Sequence, residues 1–161
     1  MFNFTTTTTG APAPLPVTAP TQTMTATRTT TLEQVGLNAP ATEKYVKEAT
    51  RNTPYVYFDQ SNGILRIVGK SSPESSLGFY EPILDRLSAM TNEITVDFEL
   101  VYFNTSSTKC IFSMLKILEG LYKKGAKVSV KWAYEEDDDD MLEVGEDFQD
   151  MVDLPLTLEE M

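Results

Sequence analysis

The sequence predicts an α/β protein: one mixed β-sheet of about four to five strands, helices packed on that sheet, and a disordered N-terminal tail. Two runs of β-branched and aromatic residues flank an Asn-Gly pair, which is a strong hairpin signal. From residue 64 to residue 134, strand-like and helix-like patterns alternate, which favours parallel strands joined by right-handed crossovers. The first 31 residues contain thirteen threonines and four prolines but no apolar periodicity.

The 161-residue chain is long enough for one domain. Its Thr- and Pro-rich start has too little apolar surface to offset the entropy lost on ordering. We therefore predict a disordered tail and linker over residues 1–48 and a folded domain over residues 49–161. Within the linker, Glu43 to Glu48 has the composition of a short helix.

The predicted hairpin joins a strand over Tyr55–Asp59 to a second strand over Ile64–Val68. The second strand is apolar at most positions, so we expect it to lie in a sheet that is covered on both faces. A helix should follow over residues 77–90, because Tyr80, Ile83, Leu84 and Leu87 recur at helical spacing. Pro82 lacks an amide hydrogen, so the regular part of this helix is predicted to begin near Glu81.

The next elements are a long strand, a helix and another strand. Residues Ile94–Phe103 alternate cleanly at first and become apolar on both faces towards Phe103, which predicts that the end of this strand is covered on both sides. Residues Cys110–Lys124 have the spacing of an amphipathic helix, and Lys127–Tyr134 that of a strand. A final helix over Leu142–Val152 and an edge strand over Leu154–Leu158 complete the prediction; Pro155 is tolerated at an edge.

Acidic residues are concentrated at one end of the chain. The net charge is −11, and thirteen of the 24 acidic residues follow Tyr134. The run Glu135–Asp140 does not match a calcium-binding loop, because no register places glycine at position 6 and glutamate at position 12. We expect a solvated loop there, with a partner contact as the alternative. The charge distribution gives no indication of a nucleic-acid interface.

Several classes of chemistry are absent from the sequence. The chain has no histidine, which excludes Ser-His-Asp and Cys-His nucleophile pairs. Cys110 is the single cysteine, and we interpret it as a small buried side chain rather than a reactive thiol. No apolar run approaches the length of a membrane span, and the N-terminus does not resemble a secretory signal. These features predict a cytoplasmic protein without a cofactor, a metal site or membrane insertion.

The segment Asn104–Lys109 lies at the junction between the long strand and its following helix. Its hydroxyls are typical of a helix N-cap, and a helix N-terminus is also a favourable position for a phosphate. Lys109 lies four positions after Thr105, so both side chains share a helix face. Phe112 and Lys116 continue the same stripe, which makes them candidate partner contacts; the alternative for Phe112 is a position at the edge of the core.

From about Ala49 to the C-terminus, the chain resembles the SiaC family of bacterial regulatory phosphoproteins. The resemblance is carried by six short motifs: Ala49-Thr50-Arg51-Asn52-Thr53-Pro54, Phe58-Asp59, Gly69-Lys70-Ser71-Ser72-Pro73-Glu74, Tyr102-Phe103-Asn104-Thr105-Ser106-Ser107, Trp132-Ala133-Tyr134 and Glu146-Asp147-Phe148. This family is similar in fold to the STAS domains, the anti-sigma-factor antagonists. The chain departs from the family pattern at Ser75, where the family commonly has asparagine, and in its Thr-rich tail.

The resemblance implies a non-enzymatic signalling switch with a STAS-like fold. Thr105 would be phosphorylated by a Ser/Thr kinase and dephosphorylated by a metal-dependent Ser/Thr phosphatase. Ser106 and Ser107 are the neighbouring candidate acceptors, and Asn104, Lys109, Phe112 and Lys116 are candidate contacts to phosphate or partner. The unphosphorylated form would bind an effector, which in the SiaC system is a diguanylate cyclase. The alternatives are an interaction module without a switch and a small enzyme.

Overall fold

A computed structural model describes residues 44–161. The predicted disorder of the preceding segment lies outside the described residues. Six strands and three helices follow one another: β1 Lys44–Lys47, β2 Tyr55–Asp59, β3 Ile64–Ser71, α1 Ser76–Ser88, β4 Ile94–Phe103, α2 Thr105–Lys123, β5 Val128–Tyr134, α3 Asp139–Met151 and β6 Leu156–Glu160.

The six strands form one mixed sheet in the order in which they occur along the chain. The first three strands pair antiparallel, which confirms the hairpin between β2 and β3. The strands from β3 to β6 pair parallel, and each parallel connection contains one helix. The prediction of a mixed α/β fold is therefore confirmed, with one strand more than expected. Parallel strands whose order follows the chain place all three right-handed crossovers on the same face of the sheet.

Within residues 44–161, helices cover only one face of the sheet. Along β3, Leu65 and Ile67 are fully buried, whereas Arg66 between them is exposed. Arg66 forms ion pairs across the open face with Asp97 (Nε–Oδ2 3.6 Å) and with Glu99. The expectation that β3 is covered on both faces was wrong, because the open face is solvated and its charges pair with one another.

The segment predicted as a short helix in the linker is the edge strand β1. It pairs with β2, with Tyr45 opposite Phe58 and Lys47 opposite Val56. The Arg86 guanidinium lies over the Tyr45 ring at 4.4 Å, and the Lys47 ammonium over the Phe79 ring at 4.1 Å. A strand places alternate residues on one face, so both side chains reach α1. These tertiary contacts, which local composition does not show, favour the strand.

Two truncations test where the folded domain begins. Deleting residues 1–40 is expected to leave the free energy of unfolding unchanged, because the sequence of this segment has no core-forming periodicity. Deleting residues 1–48 removes β1 and two cation–π contacts, so we expect it to cost about 1–2 kcal/mol. Chemical denaturation of the two variants measures the difference. Equal stability of both truncations would show that β1 contributes nothing and that the domain begins after it.

A β-bulge near the end of β4 changes the face of the sheet to which the following side chains point. Gly69 is paired with Leu100 but Lys70 with Tyr102, so Val101 is the extra residue. Val101 and Tyr102 are 52% and 49% exposed. We predicted that this end of β4 is covered on both sides, and that was wrong. The bulge turns both side chains outward before the strand reaches the junction, and bulges are common next to functional sites.

The bulge turns Phe103 towards the helices. Its ring meets Trp132 at 5.9 Å, and Trp132 also contacts Phe98 and Phe148 at 5.6 and 5.4 Å. The Trp132 indole donates to the Met141 carbonyl at 2.9 Å. These ring contacts hold Phe103, the last residue of β4, against the core.

Two other local predictions need correction. α1 begins at Ser76, so Pro82 lies within it. The carbonyl that loses its partner belongs to Gly78, an exposed residue whose carbonyl water can reach. The acidic run is only partly a loop: Asp138 caps α3 by accepting from the Met141 amide at 2.9 Å, and Asp139 and Asp140 form its first turn. Acids are favourable there because of the helix dipole.

Candidate functional site

The junction between β4 and α2 is built around Asn104. Its side-chain carbonyl accepts a hydrogen bond from the Ser107 amide at 2.8 Å, and its own amide donates to the Ser71 carbonyl at 3.0 Å. The first bond caps α2 and the second ties the end of β4 to the end of β3. α2 therefore starts at Thr105, five residues earlier than predicted, and Thr105 occupies its first turn without being the cap.

Beneath Asn104 lies a buried cluster of hydroxyl groups, formed by Ser71, Ser76, Tyr80 and Ser107. The Ser71 hydroxyl is 2.7 Å from the Tyr80 hydroxyl and 2.9 Å from that of Ser107. The hydroxyls of Ser76 and Ser107 are 3.2 Å apart. Burial raises the pKa of Tyr80 to about 12, so its hydroxyl stays protonated. The cluster joins β3, α1 and α2 at one point.

The candidate acceptors differ sharply in accessibility. Thr105 and Ser106 are exposed, whereas Ser107 is fully buried within the hydroxyl cluster. The hydroxyl of Thr105 forms no hydrogen bond with any of residues 44–161. Thr108 is half-buried and donates to the Asn104 carbonyl at 3.2 Å. A kinase can therefore reach Thr105 and Ser106 directly, but it can reach Ser107 only after local opening.

Lys109 and Lys116, the two cations predicted on the same helix face as Thr105, differ in their ion pairing. The Lys109 ammonium is exposed and has no ion pair within the described part of the chain. Lys116, in contrast, donates to the Glu119 carboxylate and to the Met151 carbonyl, both at 3.0 Å. Of the two, Lys109 is the cation available to a group at Thr105, because it lies one turn away on the same helix.

The Phe112 side chain extends from α2 towards α3. Its half-buried ring stacks on that of Phe148, with a centroid distance of 6.5 Å and an interplanar angle of 17°. The Lys116 ammonium lies 5.4 Å from the centre of the ring. The ring is therefore at the edge of the core, and its role as a partner contact stays a prediction.

Glu119 connects α2 to the segment after α3. Its carboxylate accepts from the Asp153 amide at 2.9 Å and from Lys123 and Lys116 at 3.0 Å each. Together these donors lower the pKa of Glu119 to about 2, the Asp153 amide having the largest effect. These interactions of the Glu119 carboxylate hold α3 beside α2. Their spacing along the chain is a usable signal, because Lys116 and Lys123 lie three and four positions from Glu119 and so share its helix face.

The lowered pKa of Glu119 gives a testable pH dependence. A folded-state pKa below the ordinary value of 4.5 stabilises the protein above pH 4.5, and the contribution is lost as the pH falls through about 2. Glu119→Gln is therefore expected to be less stable than the wild type at pH 7, with a smaller difference at pH 3. Urea melts at both pH values measure this, with the exposed Glu143→Gln as the control. A difference independent of pH would contradict the assignment.

A cleft of about 460 Å³ lies between α1 and the N-terminal half of α2. Leu77 and Leu84 line it from α1, and Ser106, Lys109 and Ser113 from α2. Leu77 is 65% exposed at its rim. Cys110 lies at the base with 7% exposure, and burial raises the pKa of its thiol, which agrees with a packing role.

Two kinds of site are absent from the part of the chain that the structure describes. Among residues 44–161, no group of acidic or cysteine side chains is arranged to hold a metal ion. No helix in that range is both long and apolar enough to cross a bilayer.

Comparison with known proteins gives one consistent result. The sequence model of the SiaC family regulatory phosphoproteins matches residues 47–161. The chain belongs to the SiaC family. An uncharacterised protein of Pseudomonas aeruginosa (strain UCBPP-PA14) is 28% identical over 114 residues, which cover 68% of this chain and 90% of that protein.

Solved structures agree with this assignment. Apo-SiaC from Pseudomonas aeruginosa superposes with a TM-score of 0.66 at 28% identity, covering 73% of this chain and 98% of SiaC. A structure of the diguanylate cyclase SiaD in complex with its activator SiaC, from the same organism, gives a TM-score of 0.69 at 27% identity. It covers 73% of this chain and 99% of the other. This SiaC-family chain therefore shares its fold with a regulatory protein that activates a cyclase.

Sequence reasoning missed the hydroxyl cluster. It identified Asn104 to Lys109 as the junction and placed Tyr80 on the buried face of a helix, but it assigned no role to the hydroxyls of Ser71, Ser76 and Tyr80. A usable signal was present, because Ser71 and Ser76 follow a strand predicted to run parallel to β4. Parallel neighbouring strands end at the same edge of the sheet, so hydroxyls that follow them meet there.

Proposed function

We propose that this protein is a non-enzymatic cytoplasmic switch that is controlled by reversible phosphorylation of Thr105. A Ser/Thr kinase adds the phosphate and a metal-dependent Ser/Thr phosphatase removes it. The unphosphorylated form binds an effector. The observation that carries this proposal is the contrast at the junction: the Thr105 hydroxyl is exposed and has no hydrogen bond to any of residues 44–161, whereas the Ser107 hydroxyl is buried and hydrogen-bonded to Ser71.

The junction accepts a phosphate without rearrangement of the fold. Asn104 already caps α2, so modification of Thr105 removes no cap. A phosphate on Thr105 adds a charge of about −1.5 to −2 at neutral pH. That charge is stabilised by the N-terminal end of the α2 dipole and by Lys109 one turn away. The modification therefore changes the surface of the domain rather than its structure.

We further propose that the effector is a diguanylate cyclase. The related SiaC protein of Pseudomonas aeruginosa is the activator of the cyclase SiaD and forms a complex with it. A 27% identical chain that covers nearly all of that SiaC supports a partner of the same class, without identifying which cyclase it is.

Affinity capture tests the proposed switch. Full-length wild type, Thr105→Ala and Thr105→Asp are used as baits in lysate from the source cells, and bound proteins are identified by mass spectrometry. We expect Thr105→Ala to retain a diguanylate cyclase and Thr105→Asp to lose most of it. Equal capture by both variants would contradict a switch at Thr105, and capture of other proteins without a cyclase would contradict the effector class.

Phe112 is predicted to contribute more to effector binding than to folding. A fully buried phenylalanine replaced by alanine costs about 3–5 kcal/mol of stability. Phe112 is only half-buried, so Phe112→Ala should cost less, whereas Phe148→Ala at the buried side of the same stack should cost the full amount. Urea melts and effector titrations of both variants separate the two effects. A loss of 3–5 kcal/mol for Phe112→Ala would place this residue in the core.

A further inference from the structure

We propose that the open face of the sheet, the side opposite the helices, is the interface of a symmetric homodimer. Two copies of the chain pack these faces together and keep their helices on the outside. In such an interface the same surface is used by both subunits. The inference goes beyond the proposed function and does not depend on it.

The open face exposes apolar side chains that the single chain leaves in water. Half of the large hydrophobic side chains that are exposed within residues 44–161 lie on it: Val46, Ile64, Val101 and Tyr102, at 48%, 37%, 52% and 49%. Half-buried side chains connect them, because Tyr57 lies opposite Val46 and Tyr55 lies opposite Val68. The result is a continuous apolar surface across the first four strands, and such surfaces mark interaction sites.

The charge of the open face distinguishes it from the rest of the protein. The six strands place four cations and four carboxylates on this face: Lys44, Arg66, Lys70 and Lys131 against Asp59, Asp97, Glu99 and Glu159. Its net charge is therefore zero, in a chain whose net charge is −11. On the other side of the sheet, α3 contains six acidic residues and no basic one. Two copies that meet by their open faces turn these acidic helices away from each other, which reduces the repulsion between like charges.

The charged groups of the open face are already paired within one chain. Three of the four cations and all four carboxylates form ion pairs there, including Lys131 with Glu159 (Nζ–Oε2 3.0 Å). The fourth cation, Lys70, lies over the Tyr102 ring at 5.3 Å. A second copy can therefore cover the face without leaving an unpaired carboxylate in the interface, which is the costly case. A strongly charged partner finds no excess of opposite charge on this face.

The area of the face is sufficient for a homodimer. Six strands with a spacing of about 4.8 Å, about 6.5 residues long on average at about 3.3 Å per residue, give a face of about 600 Å². Two copies bury about 1,200 Å², which reaches the lower limit of stable, specific interfaces. Sheets that pack face to face align their strands to within about 30°, so the side chains of the two copies can interdigitate.

The dimer leaves the proposed switch accessible. Thr105 begins α2, which packs on the opposite face of the sheet. Both copies therefore present the β4–α2 junction outward, and dimerisation should not change when Thr105 carries a negative charge. This separation allows the dimer to be tested independently of any kinase or effector.

Sedimentation velocity of the full-length protein tests the oligomeric state. We expect a species of twice the chain mass of 18.0 kDa that dissociates on dilution. Val101→Arg places an unpaired charge in the interface and should raise the dimer dissociation constant at least about tenfold. Leu77→Arg, at the 65% exposed leucine of α1, is the matched control and should stay within about twofold of the wild type. A monomer at every concentration up to the solubility limit would overturn the proposal, as would a dimer that Leu77→Arg weakens and Val101→Arg does not.

Photo-cross-linking of the purified full-length protein locates the interface without adding a charge. The photoreactive residue p-benzoylphenylalanine replaces Tyr102 on the open face or Tyr122 on α2, which are 49% and 43% exposed. We expect position 102 to give a covalent dimer whose attached peptide comes from the strands, and position 122 to give none. A dimer adduct from position 122 but not from 102 would contradict the interface. Thr105→Asp should dimerise like the wild type, and loss of its dimer would contradict the separation of this face from the switch.

Discussion

Phosphorylation of Thr105 is expected to weaken effector binding about a hundredfold, which corresponds to about 2.8 kcal/mol, and to leave the folded domain intact. An effector that packs over the junction must desolvate the phosphate or face it with charges of the same sign, and either is costly. The fold is insensitive because Asn104, rather than Thr105, caps α2. Titration of a purified effector with phosphorylated and unphosphorylated protein measures the effect.

Substitutions at Thr105 should reproduce the binding behaviour of the unphosphorylated and phosphorylated forms. Thr105→Ala is expected to bind as tightly as the unphosphorylated protein and to change stability by no more than about 0.5 kcal/mol. Thr105→Asp should weaken binding about tenfold, since one carboxylate supplies only part of the charge of a phosphate. Thr91→Asp, at an exposed turn before the other end of β4, is the matched control. Equal weakening by both Asp variants would show that added charge, rather than its position, determines binding.

Ser107→Val is expected to destabilise the domain severely, because it removes a buried hydroxyl and puts two methyl groups in its place. The Ser107 hydroxyl lies 2.9 Å from that of Ser71 and donates to the Ser71 carbonyl at 3.2 Å. Its loss leaves buried polar groups without partners, at about 1–3 kcal/mol, and the added methyl groups enter a filled site at a further cost of about 1–3 kcal/mol.

Ser106→Val is the matched control for this prediction. It makes the same change one residue earlier, at an exposed position of the same helical turn, and should alter stability by no more than about 0.5 kcal/mol. Urea denaturation of the two variants gives the comparison. Similar stabilities would show that the hydroxyl cluster does not organise the junction, and Ser107 would then remain a candidate acceptor.

Much of the fold follows from periodicity and turn chemistry. The Asn-Gly hairpin, the strand Ile94–Phe103 and the central parts of the helices are where local patterns predict them, because each pattern matches the burial of its element. The N-terminal turns of α2 and α3 begin earlier than their patterns indicate. The failures have tertiary causes. β1 is a strand because its side chains reach α1 from the edge of the sheet, and the bulge at Val101 depends on pairing with β3.

The candidate site could be predicted only as far as its position along the chain. The composition of Asn104 to Lys109 indicated a helix start, but not that the Ser107 hydroxyl is buried while those of Thr105 and Ser106 are exposed. That distinction depends on Ser71 and Tyr80, which lie 36 and 27 residues from Ser107 in sequence and contact its hydroxyl, directly or through one another, only in the folded sheet. The resemblance to a known family identified Thr105 independently of this geometry.

Phosphopeptide mapping of the full-length protein purified from its source cells tests the central claim most directly. Intact mass gives the number of phosphates per chain, and fragmentation of the peptide that spans residues 104–109 assigns each one. The proposed switch predicts a fraction of the protein with a single phosphate, located on Thr105. A stoichiometric phosphate on Ser106, Ser107 or Thr108, with Thr105 unmodified, would contradict it.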